Sequence, residues 1–200
     1  MSKTNLSIQK MLGSSSHSKE DRQNEDFYAT DPESVDLFYR KFYEDGETIS
    51  SQVWECACGD GAISKNLRLK GHKVFCTDII NRNHEALWTL DFTRSTLQFC
   101  GDIITNPPYR FAQKFIEKAL ESVRPDDKVI MYLRLQFLEG KKRQEMFAKY
   151  PPKYVYVHSS RQNTYKNNDP KYKGRSSAVC FAWFVWVKGS TAEPIIRWIK

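Results

Sequence analysis

Two short stretches of this 200-residue chain combine residue types at a spacing that could do chemistry. The first is Asn106-Pro107-Pro108-Tyr109. Two successive prolines fix the backbone and remove two N–H donors. The second proline also pushes residue 107 toward extended geometry. The product is a rigid turn with exposed carbonyls and a firmly held Asn side chain. Such acceptors suit an NH₂ group, because they can take both of its hydrogens. An amine on an aromatic ring is a poor nucleophile, since its lone pair is delocalised. Accepting its hydrogens favours a more tetrahedral, nucleophilic nitrogen. Tyr109 adds a face on which a planar group can stack.

The second stretch is Glu55-Cys56-Ala57-Cys58-Gly59-Asp60-Gly61. Its glycines allow a tight turn and let a ligand approach the backbone. The helix expected after it offers unpaired amides. The pattern is neither the dinucleotide G-x-G-x-x-G nor a P-loop, so a pyrophosphate ligand is not favoured. Asp78 lies 17 residues after Gly61 and closes the next strand. In α/β folds an acid there commonly takes ribose hydroxyls. The plain alternative is a simple turn and a solvated strand end. Cys56 and Cys58 have no second ligand pair, so they read as small buried residues and no metal site is expected.

These stretches need elements to position them. Residues 1–25 are polar, with no apolar period, and read as a loosely attached tail before a single domain over 26–200. Asp31 can cap a helix with Pro32 in its first turn. Val35, Phe38, Tyr39 and Phe42 then share one helical face. Strands are expected at 53–58, at 73–78, briefly near Leu90, at 99–105 and at 128–137. Helices are expected at 62–70, 111–123 and about 140–149. The alternation implies a mostly parallel sheet covered by helices on both faces. Strands at 154–158 and 178–187, joined only by a polar loop, imply an antiparallel pair at its edge. The Phe181–Trp186 aromatics read as core of the last strand. The lone histidines His72, His84 and His158 carry no assigned chemistry.

The chain has a net charge of +7 and a pI near 9.1. Ten Lys/Arg against three Asp/Glu lie between Glu139 and Arg175, an excess equal to that of the whole chain. The anionic partner implied by this balance would therefore meet one region. Arg134, Gln136, Lys141, Lys142 and Arg143 should border the target pocket. Arg161, Lys166, Lys171, Lys173 and Arg175 belong to a basic loop near 153–175. Interleaved with Tyr, Asn and Gln, they could contact phosphates and base edges. The alternative is a solvated helix and loop. Five cysteines, with no leader and no membrane span, lead one to expect reduced thiols in a cytoplasm.

With both motifs placed, the chain resembles the amino-group methyltransferases that use S-adenosylmethionine. It is most similar to the small phage-type DNA N6-adenine methyltransferases. The resemblance runs from about Phe27 to the C-terminus and implies an α/β, Rossmann-like class I methyltransferase fold. It implies that Phe27, Tyr28, Thr30 and Pro32 belong to a segment closing over the cofactor's methionine moiety. Glu55, Cys56, Gly59 and Gly61 would form the main cofactor loop. Asp78 and Ile79 would meet the ribose end, Asp91 and Phe92 the cofactor's adenine. Asn106 to Tyr109 would be the catalytic motif, with Asn where many relatives have Asp. No strong general base is needed, because a sulfonium methyl is already activated. The large recognition domain of restriction-type relatives has no counterpart, so sequence specificity should be short or weak.

The resemblance implies DNA as partner, an infected or bacterial cytoplasm as location, and a monomer or weak dimer. Evasion of host restriction would follow from it as a role. Competing readings keep the chemistry and change the amine to RNA adenine, DNA cytosine or protein glutamine. The glutamine enzymes usually carry an N-terminal helical domain absent here, and the cytosine enzymes more often have Ser at position 106. A non-catalytic DNA-binding protein on the same fold would show damaged cofactor motifs, and these are intact.

Overall fold

A computed structural model describes residues 28–80, 86–160, 165–166 and 179–200. The chain runs β1 (Tyr28–Ala29), α1 (Pro32–Glu44), β2 (Gln52–Glu55), α2 (Ala62–Leu69), β3 (Lys73–Asp78), β4 (Trp88–Thr89) and β5 (Asp102–Thr105). It continues α3 (Ala112–Ser122), β6 (Lys128–Arg134), α4 (Lys141–Lys149), β7 (Tyr154–His158), β8 (Tyr165–Lys166), β9 (Phe181–Val187) and β10 (Ile195–Ile199). Eight strands form one sheet in the order β10-β7-β9-β6-β5-β2-β3-β4. Only β9 runs against its neighbours, pairing antiparallel with β6 and β7. β1 and β8 make a separate antiparallel ribbon.

Period-two alternation makes this sheet two-faced. On β9, Phe181, Trp183 and Val185 face one core, while Ala182, Phe184 and Trp186 face the other. On β6, Ile130 and Tyr132 join the first core, and Val129, Met131 and Leu133 the second. Helices cover both. α1 and α2 bring Val35, Phe38, Phe42, Ile63 and Leu67 to the first face. α3 and α4 bring Phe115, Ile116, Ala119 and Met146 to the second. Phe38 stacks on Trp183 with ring centroids 4.7 Å apart. The aromatics of β9 are thus core, and the two-sided burial is why they read as a continuous apolar run.

Several boundaries differ from the sequence expectation. The third long strand begins at Asp102 rather than Phe99, after Gly101 turns the chain at φ 134°. β6 stops at Arg134, and Leu135–Leu138 form a 3₁₀ turn. β10 was not foreseen. It lies outside β7, parallel to it, so the antiparallel β7–β9 pair is flanked by one further strand.

Asp102 ties the start of β5 to its surroundings. Its buried carboxylate accepts the Ser50 N–H and the Lys128 N–H, each at 2.8 Å. Burial nonetheless holds this carboxyl above the usual carboxylate range, against the pull of those two donors. An Asp102→Ala protein leaves two donors without their acceptor. Urea denaturation is expected to show a loss of about 2–4 kcal/mol.

Candidate methyl-transfer cleft

The parallel strands β2, β3 and β5 all end at one edge of the sheet, and their last residues meet there. Glu55 closes β2, Asp78 closes β3, and Asn106 comes directly after β5. β2 sits between β3 and β5, and the chain leaves it first toward β3 and later toward β5. A crevice opens where the strand order reverses in this way. Here it is a cleft of about 480 Å³.

The glycine turn shapes one wall. Gly59 and Gly61 adopt φ of 56° and 81°, a region that side-chain-bearing residues avoid. Gly61 thereby starts α2 with no side chain in the way. Asp78 holds the turn: its carboxylate accepts the N–H of Gly59 at 2.8 Å and of Ile80 at 3.0 Å. Asp91 starts a short 3₁₀ turn, accepting the Thr93 N–H at 3.1 Å and the Thr93 hydroxyl at 2.7 Å. Leu90, Phe92, Pro108, Phe111 and Phe115 make apolar walls. Ile79 and Ile80 also line the cleft and are 64% and 46% exposed.

Glu55 carries a buried oxygen with no donor among the described residues. The residue is 2% exposed, and the oxygen is Oε2. Burial pushes its carboxyl well above the usual carboxylate range, and the neighbouring Cys76 thiol adds to this. Ser64, through its hydroxyl and N–H, pulls the other way. A buried acceptor without a donor calls for a ligand that brings one.

The opposite wall is the Asn106–Tyr109 turn. Asn106 Nδ2 donates to Thr30 Oγ1 at 3.0 Å, which leaves Oδ1 as the accepting end of the amide. The Pro108 carbonyl accepts the Phe111 N–H at 2.8 Å. Among the described residues, the Pro107 carbonyl takes no such backbone bond. The Arg134 guanidinium lies over the Tyr109 ring, 4.7 Å from its centre. One face of Tyr109 is therefore covered by a cation.

Solved structures resemble this chain, whereas no protein-family model and no curated protein sequence matches it. A candidate RNA methyltransferase from Pyrococcus horikoshii is 14% identical and superposes with a TM-score of 0.57, over 80% of this chain and 86% of that one. A candidate class I S-adenosylmethionine-dependent methyltransferase from Listeria monocytogenes gives 12% identity and 0.55, over 82% and 62%. A type I restriction-modification methyltransferase subunit from Streptococcus thermophilus gives 12% and 0.56, over 86% of this chain and 47% of that one. The fold is that of the class I methyltransferases. At such identities the likeness is one of fold, and S-adenosylmethionine is the cofactor expected for it.

The donor set of that cofactor fits the cleft. An ammonium, a ribose diol and an adenine amine all donate hydrogen bonds, and the cleft offers the carboxylates of Glu55, Asp78 and Asp91. Of the residues expected to hold a cofactor, Thr30, Glu55, Cys56, Gly59, Asp78, Ile79, Asp91, Phe92 and Asn106 line the cleft. Pro107, Pro108 and Tyr109 line it as well. Gly61 and Pro32 do not; Gly61 shapes the turn and Pro32 opens α1. Phe27 lies outside the described residues, and Tyr28 is placed only through its backbone pairing in β1.

The basic residues separate into groups. Arg134 reaches the Asn106–Tyr109 turn. Lys141 and Lys142 are exposed at the start of α4, and Gln136 is exposed just before it. Arg143 folds back over Phe137 and donates to the carbonyls of Gln136 and Glu139, so it braces its own loop. Lys166 is placed by its backbone in β8, while Arg161, Lys171, Lys173 and Arg175 lie outside the described residues. Two cations went unnoticed in the sequence. Arg110 and Lys114 line the cleft beside Phe111 and Phe115. The signal was available: a helix opening at the turn must return positions four apart to the same side.

Proposed function

We propose that this protein transfers a methyl group from S-adenosylmethionine to the N6 amine of adenine in DNA. The observation that carries this reading is the shared cleft. The Asn106 amide and the proline turn face the same space as three carboxylates suited to the cofactor's donors. When bound, S-adenosylmethionine supplies an electrophilic methyl on sulfur.

The protein's part is positioning. Asn106 Oδ1 and the Pro107 carbonyl accept the two amine hydrogens and hold the nitrogen toward the methyl. The reacting proton leaves after transfer, so no general base is required. Orientation of this kind supplies much of the acceleration in a two-reactant transfer. An adenine inside a duplex cannot reach such a cleft, so the base is turned out of the stack. The basic residues from Arg134 onward, with those of the polar stretch that follows β7, hold the phosphates on either side. They are part of a single domain beginning near residue 26. The likeness to a restriction-modification methyltransferase subunit supports a DNA substrate, while the likeness to a candidate RNA methyltransferase keeps RNA adenine as the competing arm.

The test incubates the protein with tritiated S-adenosylmethionine and either unmodified DNA or RNA, then resolves the digested nucleosides by mass spectrometry. N6-methyladenine from DNA is the expected product. Label confined to RNA, or to added protein, would move the substrate and keep the chemistry. Bound cofactor with no label anywhere would make the protein a binder.

A further inference from the structure

The eight-strand sheet ends on β10, whose outer side pairs with no strand among the described residues. Parallel pairing with β7 uses only alternate residues of β10. The Ile195 N–H donates to the Lys153 carbonyl at 3.0 Å, and the Ile199 carbonyl accepts the Ser159 N–H at 2.9 Å. Ile195, Arg197 and Ile199 therefore turn their backbone groups toward β7, and Ile196 and Trp198 turn theirs outward. Proline, a bulge or free charge commonly blunts such an edge. β10 has neither proline nor bulge between Pro194 and Lys200. Its two outward residues instead carry large apolar side chains, 51% and 59% exposed. We propose that β10 is a self-association edge, onto which a second copy of this chain adds its own β10 antiparallel. The proposal does not rest on the methyl-transfer reading.

Symmetry points to a second copy as the occupant. A strand that pairs antiparallel with itself does so about a twofold axis through one of its own residues. About Arg197, Ile196 of each copy faces Trp198 of the other. Both turn N–H and C=O outward, so each facing pair exchanges two backbone hydrogen bonds. The exposed Ile196 and Trp198 side chains then cover one another on one face of the sheet. The two Arg197 side chains lie on the other face, where like charges would oppose the pairing. Each is already engaged by its own chain. Its guanidinium lies 2.9 Å from Asp45 Oδ2, donates to the Tyr156 hydroxyl at 2.9 Å and sits 4.2 Å from the Tyr154 ring centre. A groove runs between this edge and α1. α1 lines it with Arg40 and Lys41 and then, one turn on, Glu44 and Asp45. The same twofold reverses α1 in the second copy, turning the basic end of one stripe toward the acidic end of the other. The surface is thus complementary to itself in backbone, apolar contact and charge. Three strands separate β10 from β5, so both clefts stay open.

Sedimentation velocity of the full chain over a concentration series is expected to reach twice the 23.4 kDa of one chain. Ile196→Lys puts a charge into both Ile196–Trp198 contacts and is expected to weaken self-association about 100-fold or more. Its circular dichroism should match that of diluted wild type. Hydrogen exchange locates the contact: the Ile196 and Trp198 amides should be protected in the dimer and exchange freely on dilution. Arg40→Glu and Glu44→Lys, on exposed positions of α1, test the charge pattern without touching β10. Each alone should weaken the dimer. An equimolar mixture should restore it, since one variant then offers an acidic stripe and the other a basic one. A chain that stays monomeric at every concentration overturns the proposal and leaves the edge to a different partner. A dimer that survives Ile196→Lys, or that leaves the Ile196 and Trp198 amides unprotected, overturns it equally. A mixture that associates no more tightly than its components overturns the antiparallel arrangement.

Discussion

Asn106→Ala is expected to lower methyl transfer to adenine about 100-fold or more, with a much smaller effect on cofactor affinity. Alanine removes the Asn106 amide acceptor and leaves the Pro107 carbonyl to hold the amine alone. The lost contact strengthens as the nitrogen becomes tetrahedral, so the loss belongs to the transfer step rather than to binding. Single-turnover rates with tritiated cofactor, beside equilibrium binding of cofactor and DNA, separate the two. Asn106→Asp should keep more activity than alanine. A carboxylate still accepts from the amine, and the Thr30 hydroxyl can reverse its bond and donate. Alanine that transfers at the wild-type rate would remove Asn106 from the chemistry.

The residues that surround this reaction were legible in the sequence to different degrees. Those fixed by local rules were plain. Asp31 caps a helix whose first turn holds Pro32 and Glu33, and Asn106-Pro107-Pro108-Tyr109 is rigid wherever it occurs. The aromatics of β9 announced a strand buried on both faces. What stayed hidden depends on partners distant in sequence. β10 is a strand because it pairs with β7, while Ile195, Ile196 and Trp198 remain exposed, so no burial pattern marks it. The two-residue β4 is likewise defined only by its pairing with β3. The Thr30–Asn106 bond and the missing donor at Glu55 arise from packing between elements, to which no spacing rule refers. The covering of Tyr109 by Arg134 belongs to the same class, and it qualifies the expected stacking face.

Glu55 provides the second large effect, with opposite signs for stability and for binding. Its folded pKa lies above the unfolded one, because burial disfavours the charged form. Below the unfolded pKa both states carry the proton and Glu55 has no influence on pH dependence. As pH rises above that value, the unfolded chain ionises first and the cofactor-free fold loses stability. Glu55→Gln carries no such charge. Its cofactor-free melting temperature should therefore fall less than that of wild type between pH 5 and pH 8. Each kcal/mol relieved is worth roughly 2–4 °C at this chain length. A cationic cofactor group reverses the balance, since it stabilises the carboxylate and supplies the donor that Oε2 lacks. E55Q should then bind S-adenosylmethionine at least ~2 kcal/mol more weakly, about 30-fold. Calorimetric titrations in two buffers of different ionisation enthalpy should show wild type releasing a proton on binding at pH values below the raised pKa of the cofactor-free carboxyl and above its pKa in the complex, and E55Q releasing less. Equal affinity and equal proton release in the two proteins would mean that the cofactor's ammonium does not meet Glu55. The carboxyl would then be a buried neutral group of the glycine turn, and the cofactor would rest on Asp78 and Asp91.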